Sequence, residues 1–292
     1  MKESGESREP RESGESIDSN HSTLPTLPIL STPPKNRHLF TVAYDGVGFE
    51  GWQSQRGGNT VQDIIEAAFE RLVKQPVRIH GAGRTDAGVH ALAQRFHADT
   101  PVSLRMDAAT WVKALNSTLP PTIRILAARR MTPDFHARFS AKKKTYRYLI
   151  RNADILPPHE AGRAWLVPQA LPLAALHEAA EIFIGTHDFT AFSAKRDRSK
   201  SPPPELPPDN RRTIDSIRVS QRGTLIRIEF TGNGFLYKMV RMLTAAIERH
   251  AQGRVTLEEL RTFLDKSPGP LPTRWNHTAP ADGLYLEKIS YL

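Results

Sequence analysis

From residue 39 to residue 291, short stretches of strand character alternate with amphipathic stretches at helical spacing, and the alternation runs through both halves of the chain. LFTVAY (39–44), VRIHG (77–81), HALAQRFHA (90–98) and IRILAARR (123–130) read as strands. NTVQDIIEAAFERLV (59–73) and residues 107–118 read as helices. Thr60 and Asp63 form a capping-box pattern, and Val61, Ile64, Ile65, Ala68 and Leu72 make one apolar face. In the second half, KTYRYLIR (144–151), two strands about a Gly223 turn (214–230) and GLYLEKISY (283–291) read as strands. Helices are expected at 172–185, at 235–253 ending near Gly253, and at 256–264 behind a Thr256/Glu259 box. The fold class is α+β, an α/β sandwich in two domains, 37–137 and 138–292. Each is expected to be a mainly antiparallel sheet backed by helices, with the join near 136–143.

Two segments stand outside this pattern. Residues 1–36 repeat ESGES and are then broken by prolines, a composition that cannot bury enough apolar area to order itself. KRDRSKSPPPELPPDNRR (195–212) carries five prolines with basic residues at both ends, and is expected to be an exposed loop. The net charge is +9. Residues 1–36 hold four basic and six acidic groups, a net of −2, so 37–292 carries +11. That surplus points to a polyanion, most simply nucleic acid, against the plainer reading of a solvated basic surface. No cysteine is present, which removes thiolate catalysis, zinc–cysteine sites and disulfides, and suits a reducing cytoplasm. No apolar run approaches membrane-spanning length.

The stretch GAGRTDAGVHALAQRFH (81–97) is glycine-rich yet is no phosphate loop. A dinucleotide fingerprint needs glycine where Asp86 stands, and a P-loop needs lysine where Val89 stands. An aspartate is common in turns for its own backbone hydrogen bonds, and on the turn alone that reading leads. The flanking glycines, however, let a bulky partner approach the backbone. Arg84 lies at i−2, so in an extended segment it shares a face with Asp86, to pair with it or to hold a phosphate. Arg241 sits among apolar residues in MVRML (239–243) and needs an anionic partner there, unless its head reaches water. Tyr146 and Tyr148 alternate behind Lys142, Lys143 and Lys144. They are either core residues or a stacking face beside a phosphate backbone. His90 and His97 fit no metal-ligand spacing.

Seven ordered blocks carry a resemblance. GRTDAGVHA (83–91) resembles the signature of the tRNA pseudouridine synthase A family. YDGVGFEGWQSQ (44–55), ALNSTLP (114–120), FHARFSAKKKTYRY (135–148), DFTAFSA (188–194), NGFLYKMVR (233–241) and GLYLEKISY (283–291) follow in the family's order. The resemblance covers about 37–292. It implies the pseudouridine synthase fold, and isomerisation of uridine to pseudouridine at tRNA positions 38, 39 and 40 in the anticodon stem-loop. It also implies a cytoplasmic homodimer and no cofactor or metal. Asp86 would be the catalytic aspartate and nucleophile. Tyr146 would contact the uracil and share in proton removal from C5. Arg241 would partner Asp86, and Arg84 would displace or hold the target nucleotide. The tail 1–36, the long 195–212 segment and Met-Leu-Thr-Ala-Ala after Arg241 depart from the family pattern. A catalytically silent RNA-binding protein is the alternative, separable because isomerisation must release the hydrogen on C5.

Overall fold

In a computed structural model, which describes residues 35–194, 209–264 and 274–291, both halves contribute strands to one sheet. Strand β1 (Lys35–Tyr44) pairs antiparallel with β3 (His90–Pro101), setting Phe40 opposite Phe96, and with β4 (Ile123–Arg130) on its other edge. The short β2 (Ile79–Gly81) lies along β3. Helices α1 (Val61–Val73) and α2 (Ala108–Thr118) pack together over these strands. Each helix starts where a side chain satisfies a free backbone donor. The Thr60 hydroxyl accepts the Asp63 N–H at 3.2 Å, and Asp107 accepts the Thr110 N–H at 2.7 Å. Phe69 from α1 and Trp111 from α2 meet Phe40 and Phe96 in a buried ring cluster, with centroids 5.0–5.7 Å apart for its closest pairs. Truncating any one of these rings to alanine costs about 3–5 kcal/mol.

The second half supplies β5 (Lys143–Arg151), β6 (Trp165–Leu166), α3 (Leu173–Glu181), β7 (Gly185–Asp188), β8 (Arg211–Arg222), β9 (Leu225–Gly232), α4 (Met239–Ala251), α5 (Leu257–Leu264) and β10 (Leu284–Ser290). The β8–β9 hairpin closes through two residues, with Gly223 at φ 58, a left-handed angle that favours glycine. Thr256 and Glu259 cap α5 reciprocally: the hydroxyl accepts the Glu259 N–H at 3.1 Å, and the carboxylate accepts the Thr256 N–H at 2.7 Å.

The sheet runs β4-β1-β3-β10-β5-β9-β8-β7, with β2 on β3 and β6 on β5. Pairing is antiparallel except at β5–β6 and at the seam between the halves. At the seam, β10 runs parallel to β3 through Tyr285 opposite His90 and Leu286 opposite Ala91, and antiparallel to β5 with Leu286 opposite Tyr146. The last strand therefore brings the start of β3, and the glycine-rich loop before it, beside β5.

Four boundaries differ from expectation. The helix foreseen at 172–185 ends at Glu181, because Gly185 (φ 114) opens β7, which pairs with β8. The helix foreseen from 235 begins at Met239. Residues 233–238 form an irregular turn ending in Lys238 at φ 60. In the proline-rich segment, 195–208 lie outside the described residues, whereas Arg211 and Arg212 already pair with Asp188 and His187 in the sheet. Of the N-terminal extension, 1–34 lie outside the described residues, and Lys35 and Asn36 open β1.

Candidate active site

The loop from Ala82 to Val89 joins β2 to β3 and is pinned from below. Trp52 donates its backbone N–H to the Thr85 carbonyl at 3.1 Å, and Gly88 donates to the Phe49 carbonyl at 3.3 Å. Gly51, at φ 95, makes this closeness possible, since a Cβ there would sit 2.6 Å from the Thr85 carbonyl oxygen. The block YDGVGFEGWQSQ is thus the floor of the aspartate loop. The loop closes by a Val89 N–H to Asp86 carbonyl bond of 3.1 Å, with Gly88 at φ 76. Thr85 points into the core, where its hydroxyl bonds the Tyr44 hydroxyl at 2.8 Å. Alternation then turns Arg84 and Asp86 outward together, and both line the same cleft.

The cleft encloses about 600 Å³ between the halves of the sequence. Arg241, in the first turn of α4, reaches across it. Its Nη1 lies 3.3 Å from Asp86 Oδ2, and its Nε donates to the Ala279 carbonyl at 2.7 Å. Their side chains keep 15 % and 22 % of their exposure, so the pair is sheltered yet open on one side. Asp86 Oδ1 makes no hydrogen bond among the described residues, and Asp86 lines the cleft. Tyr146 lines the opposite wall with its ring edge-on to Phe235, centroids 5.2 Å apart. Burial, with the nearby Tyr44 and the Asp86 charge adding, pushes its hydroxyl well above the usual phenol range. Tyr146 is therefore a hydrogen-bond donor and an apolar face. Tyr148 lies outside the cleft: it is fully buried and donates its hydroxyl to the Pro280 carbonyl at 2.7 Å.

The electrostatics are lopsided. Among the described residues lining the cleft, Asp86 is the sole carboxylate, set against Arg78, Arg84, Arg138, Lys144, Lys238 and Arg241. Of the three consecutive lysines only Lys144 enters. The period-two rule that pairs Tyr146 with Tyr148 also carries Lys144 to their face, so this was readable from the sequence. Lys143 instead meets Asp215 on the surface at 3.2 Å. Nothing in the sequence marks Arg138 or Phe139 individually. Phe139 remains 75 % exposed at the rim with the Arg138 guanidinium 5.7 Å from its ring centroid, an aromatic offered to solvent beside a cation.

The two histidines of the loop-and-strand segment do different work. His90 accepts the Gly46 N–H on Nδ1 at 3.0 Å, which leaves Nε2 to donate to the Gly162 carbonyl at 2.9 Å. Burial lowers its pKa, as it must for a neutral ring in this arrangement. His97 accepts the Ala137 N–H at 3.2 Å and stacks on His80 at 4.8 Å, with His136 edge-on at 4.6 Å. Among the described residues, no group of histidines and carboxylates is arranged to hold a metal ion.

With this geometry in hand, the likeness to known proteins is informative. A family model described as tRNA pseudouridine synthase matches residues 40–140 and 179–292, which include Asp86, Arg84, Tyr237–Arg241 and β10. The chain is 52 % identical over 256 residues to tRNA pseudouridine synthase A of Akkermansia muciniphila, covering 87 % of this chain and 95 % of that one. It is 38 % identical to the protein of that name from Rhodospirillum rubrum, with 87 % of each chain covered. It is 40 % identical to that from Methylobacterium nodulans, covering 87 % of this chain and 96 % of the relative. The aspartate loop, its glycine floor and the arginine that reaches it thus sit within the matched region, and the chain belongs to the tRNA pseudouridine synthase family.

Proposed function

We propose that this pseudouridine synthase acts on uridines at tRNA positions 38, 39 and 40 in the anticodon stem-loop, with Asp86 as its catalytic carboxylate. The observation that carries the reading is the meeting of Asp86 and Arg241, 155 positions apart, at 3.3 Å in a cleft otherwise lined by cations. The isomerisation breaks the N1–C1′ bond, turns the uracil and joins C5 to C1′. One proton leaves C5 and one ends on N1, so the atoms balance and the reaction calls for no redox cofactor or metal. A carboxylate can trap or stabilise the electron-poor C1′ or draw the 2′ hydrogen to give a glycal, and all three routes run through Asp86. Arg241 aims Asp86 and compensates its charge, leaving Oδ1 for the ribose.

A uridine in a stem must leave its stack to reach this depth, at a cost of a few kcal/mol. Stacking on an aromatic face returns about 1–3 kcal/mol, and Tyr146 and Phe235 supply that face. Arg84, at the lip of the loop, holds the extruded nucleotide. The spans 37–137 and 138–292 act as two domains sharing one sheet, with the reacting carboxylate on the first and the aromatic wall and Arg241 on the second. The family resemblance supports a homodimer. A chain with no cysteine suits the reducing cytoplasm, and no helix among the described residues is long and apolar enough to cross a membrane.

The test is to map pseudouridine in unmodified tRNAs after exposure to the purified protein. Modification confined to positions 38–40 is expected. Modification only elsewhere, or none, would overturn the assignment.

A further inference from the structure

The block FHARFSA (135–141) lies between β4 and β5 and carries Phe139. Among the described residues this is the one phenylalanine, tyrosine or tryptophan that is exposed, at 75 %, and it keeps that exposure with the Arg138 guanidinium 5.7 Å from its centroid. A lone apolar side chain on a surface is ordinary, but this one is held in place. Phe135 and Ala137 point inward. The Phe135 ring lies 5.2 Å from that of Tyr291, whose hydroxyl donates to the Ala137 carbonyl at 3.0 Å. His136 organises the outward turn. Its Nδ1 accepts the Arg138 N–H at 3.1 Å and the Phe139 N–H at 3.4 Å. Its carbonyl accepts the Ser140 N–H at 2.9 Å, and its own N–H donates to the Ser140 hydroxyl at 3.2 Å. Its ring stands 4.4 Å from the Phe139 ring at an angle of 32°, and 4.6 Å from His97, which stacks on His80. Four rings thus follow one another from the sheet outward, and His80, His136 and Phe139 all line the cleft. The hydrogen bonds of this turn fix a bare aromatic face at the cleft's rim.

We propose that Phe139, backed by His136, is a stacking platform for the base of the nucleotide next to the target uridine. The proposal rests on the isomerase reading above. The cleft has two aromatic stations that differ in depth. Tyr146 is 8 % exposed, with Phe235 edge-on to it, and suits the uracil brought to Asp86. Phe139 is open to solvent and meets a base that stays at the entrance. Taking one uridine out of its stack leaves the neighbouring base with an uncovered face, and a ring at the entrance covers it. A ring already ordered by its turn loses little freedom on binding, so most of the stacking gain is kept. Stacking uses the π-face that every base has and ignores the hydrogen-bonding edges that distinguish them. Such a platform accepts any neighbour, which suits a site whose targets are three consecutive positions, each with a different base beside it.

The experiment measures binding of anticodon stem-loop RNAs that are intact or lack the base of either the 5′ or the 3′ neighbour of the target uridine. The proteins are the full-length wild type, Phe139→Ala, Phe139→Leu and Phe139→Trp, and the thermal midpoint of each reports folding. At one of the two neighbours, removing the base or removing the ring should each weaken binding about tenfold, the size of one base–aromatic stack. Removing both should weaken it no further, because the two losses are one interaction. Phe139→Trp should bind the intact RNA like the wild type. Phe139→Leu should bind it like Phe139→Ala, since leucine restores apolar area without a π-face. Losses that multiply in full at both neighbours would overturn the platform, and so would Phe139→Ala or Phe139→Leu binding as tightly as the wild type. A wild type that forms no pseudouridine in the intact RNA would overturn the isomerase reading itself and the platform with it, a failure read from product rather than from binding.

Discussion

Among the described residues three arginine–aspartate pairs join distant parts of the chain, and two of them, Arg37–Asp99 and Arg241–Asp86, are built differently. Arg37 and Asp99 lie across the β1–β3 ladder, with Nε and Nη2 each donating to one carboxylate oxygen at 2.7 Å. The remaining nitrogen donates to the Pro133 and Phe135 carbonyls, so nearly every donor and both acceptor oxygens are used. The guanidinium holds the Asp99 carboxyl below the usual carboxylate range. Arg241 and Asp86 share one contact, at 3.3 Å, and one carboxylate oxygen is left over. The first pair is closed and ties a sheet together. The second is sheltered but incomplete, and an incomplete pair facing a cationic cleft is arranged to receive something. The difference teaches that an ion pair's role is read from the valences it leaves open, more than from its presence.

That contrast can be broken by experiment. Arg241→Met should lower the rate of pseudouridine formation about 100- to 1,000-fold while the thermal midpoint stays within a degree or two. Arg37→Met should do the reverse. It strands Asp99 and two carbonyls, costing about 2–3 kcal/mol, or roughly 5–10 °C, with near-normal turnover per folded molecule. If both variants lose stability equally and activity equally, the distinction fails.

A smaller effect sharpens the picture of the closed region. Burial, aided by the charges of His80, Arg37 and His136, brings the His97 pKa from 6.5 down to about 4. Above pH 6.5 the ring is neutral in both folded and unfolded chains. Between 6.5 and about 4 the unfolded chain takes up the proton and the folded one does not, so stability falls as acid is added. The loss attributable to His97 is at most about 3 kcal/mol. The Arg37–Asp99 pair adds its own loss only below the ordinary aspartate value of 3.8. Denaturant titrations across this range should show a slope that His97→Asn reduces by one proton's worth. An unchanged slope in that variant would remove His97 from the explanation.

Much of this was legible in the residues, and the limits have physical causes. The glycine-rich loop announces itself because an aspartate stands where a phosphate cradle would need glycine. Arg241 is conspicuous because a guanidinium amid Met239, Val240, Met242 and Leu243 needs an anion. Local chemistry also sets the helix starts, since Thr60 and Thr256 cap the helices they precede. What local chemistry does not encode is where β10 goes. Its insertion between β3 and β5 is a long-range parallel pairing of two residue pairs, and it alone joins the halves into one sheet. The helix over-reached at 172–185 because the apolar spacing continues past Glu181, whereas pairing with β8 claims the residues from Gly185 on. The place of Lys144 in the cleft is legible, because strand alternation sets it on the face of Tyr146.

The central claim is that Asp86, offered by its turn and only half-engaged by Arg241, performs the isomerisation. Release of tritium from tRNA labelled at uridine C5, measured with saturating Asp86→Asn protein alongside tRNA affinity and thermal midpoint, tests it directly. The expected result is tRNA bound as tightly as by the wild type, an unchanged fold and no tritium release above background. Release at the wild-type rate by the folded, tRNA-bound variant would contradict it.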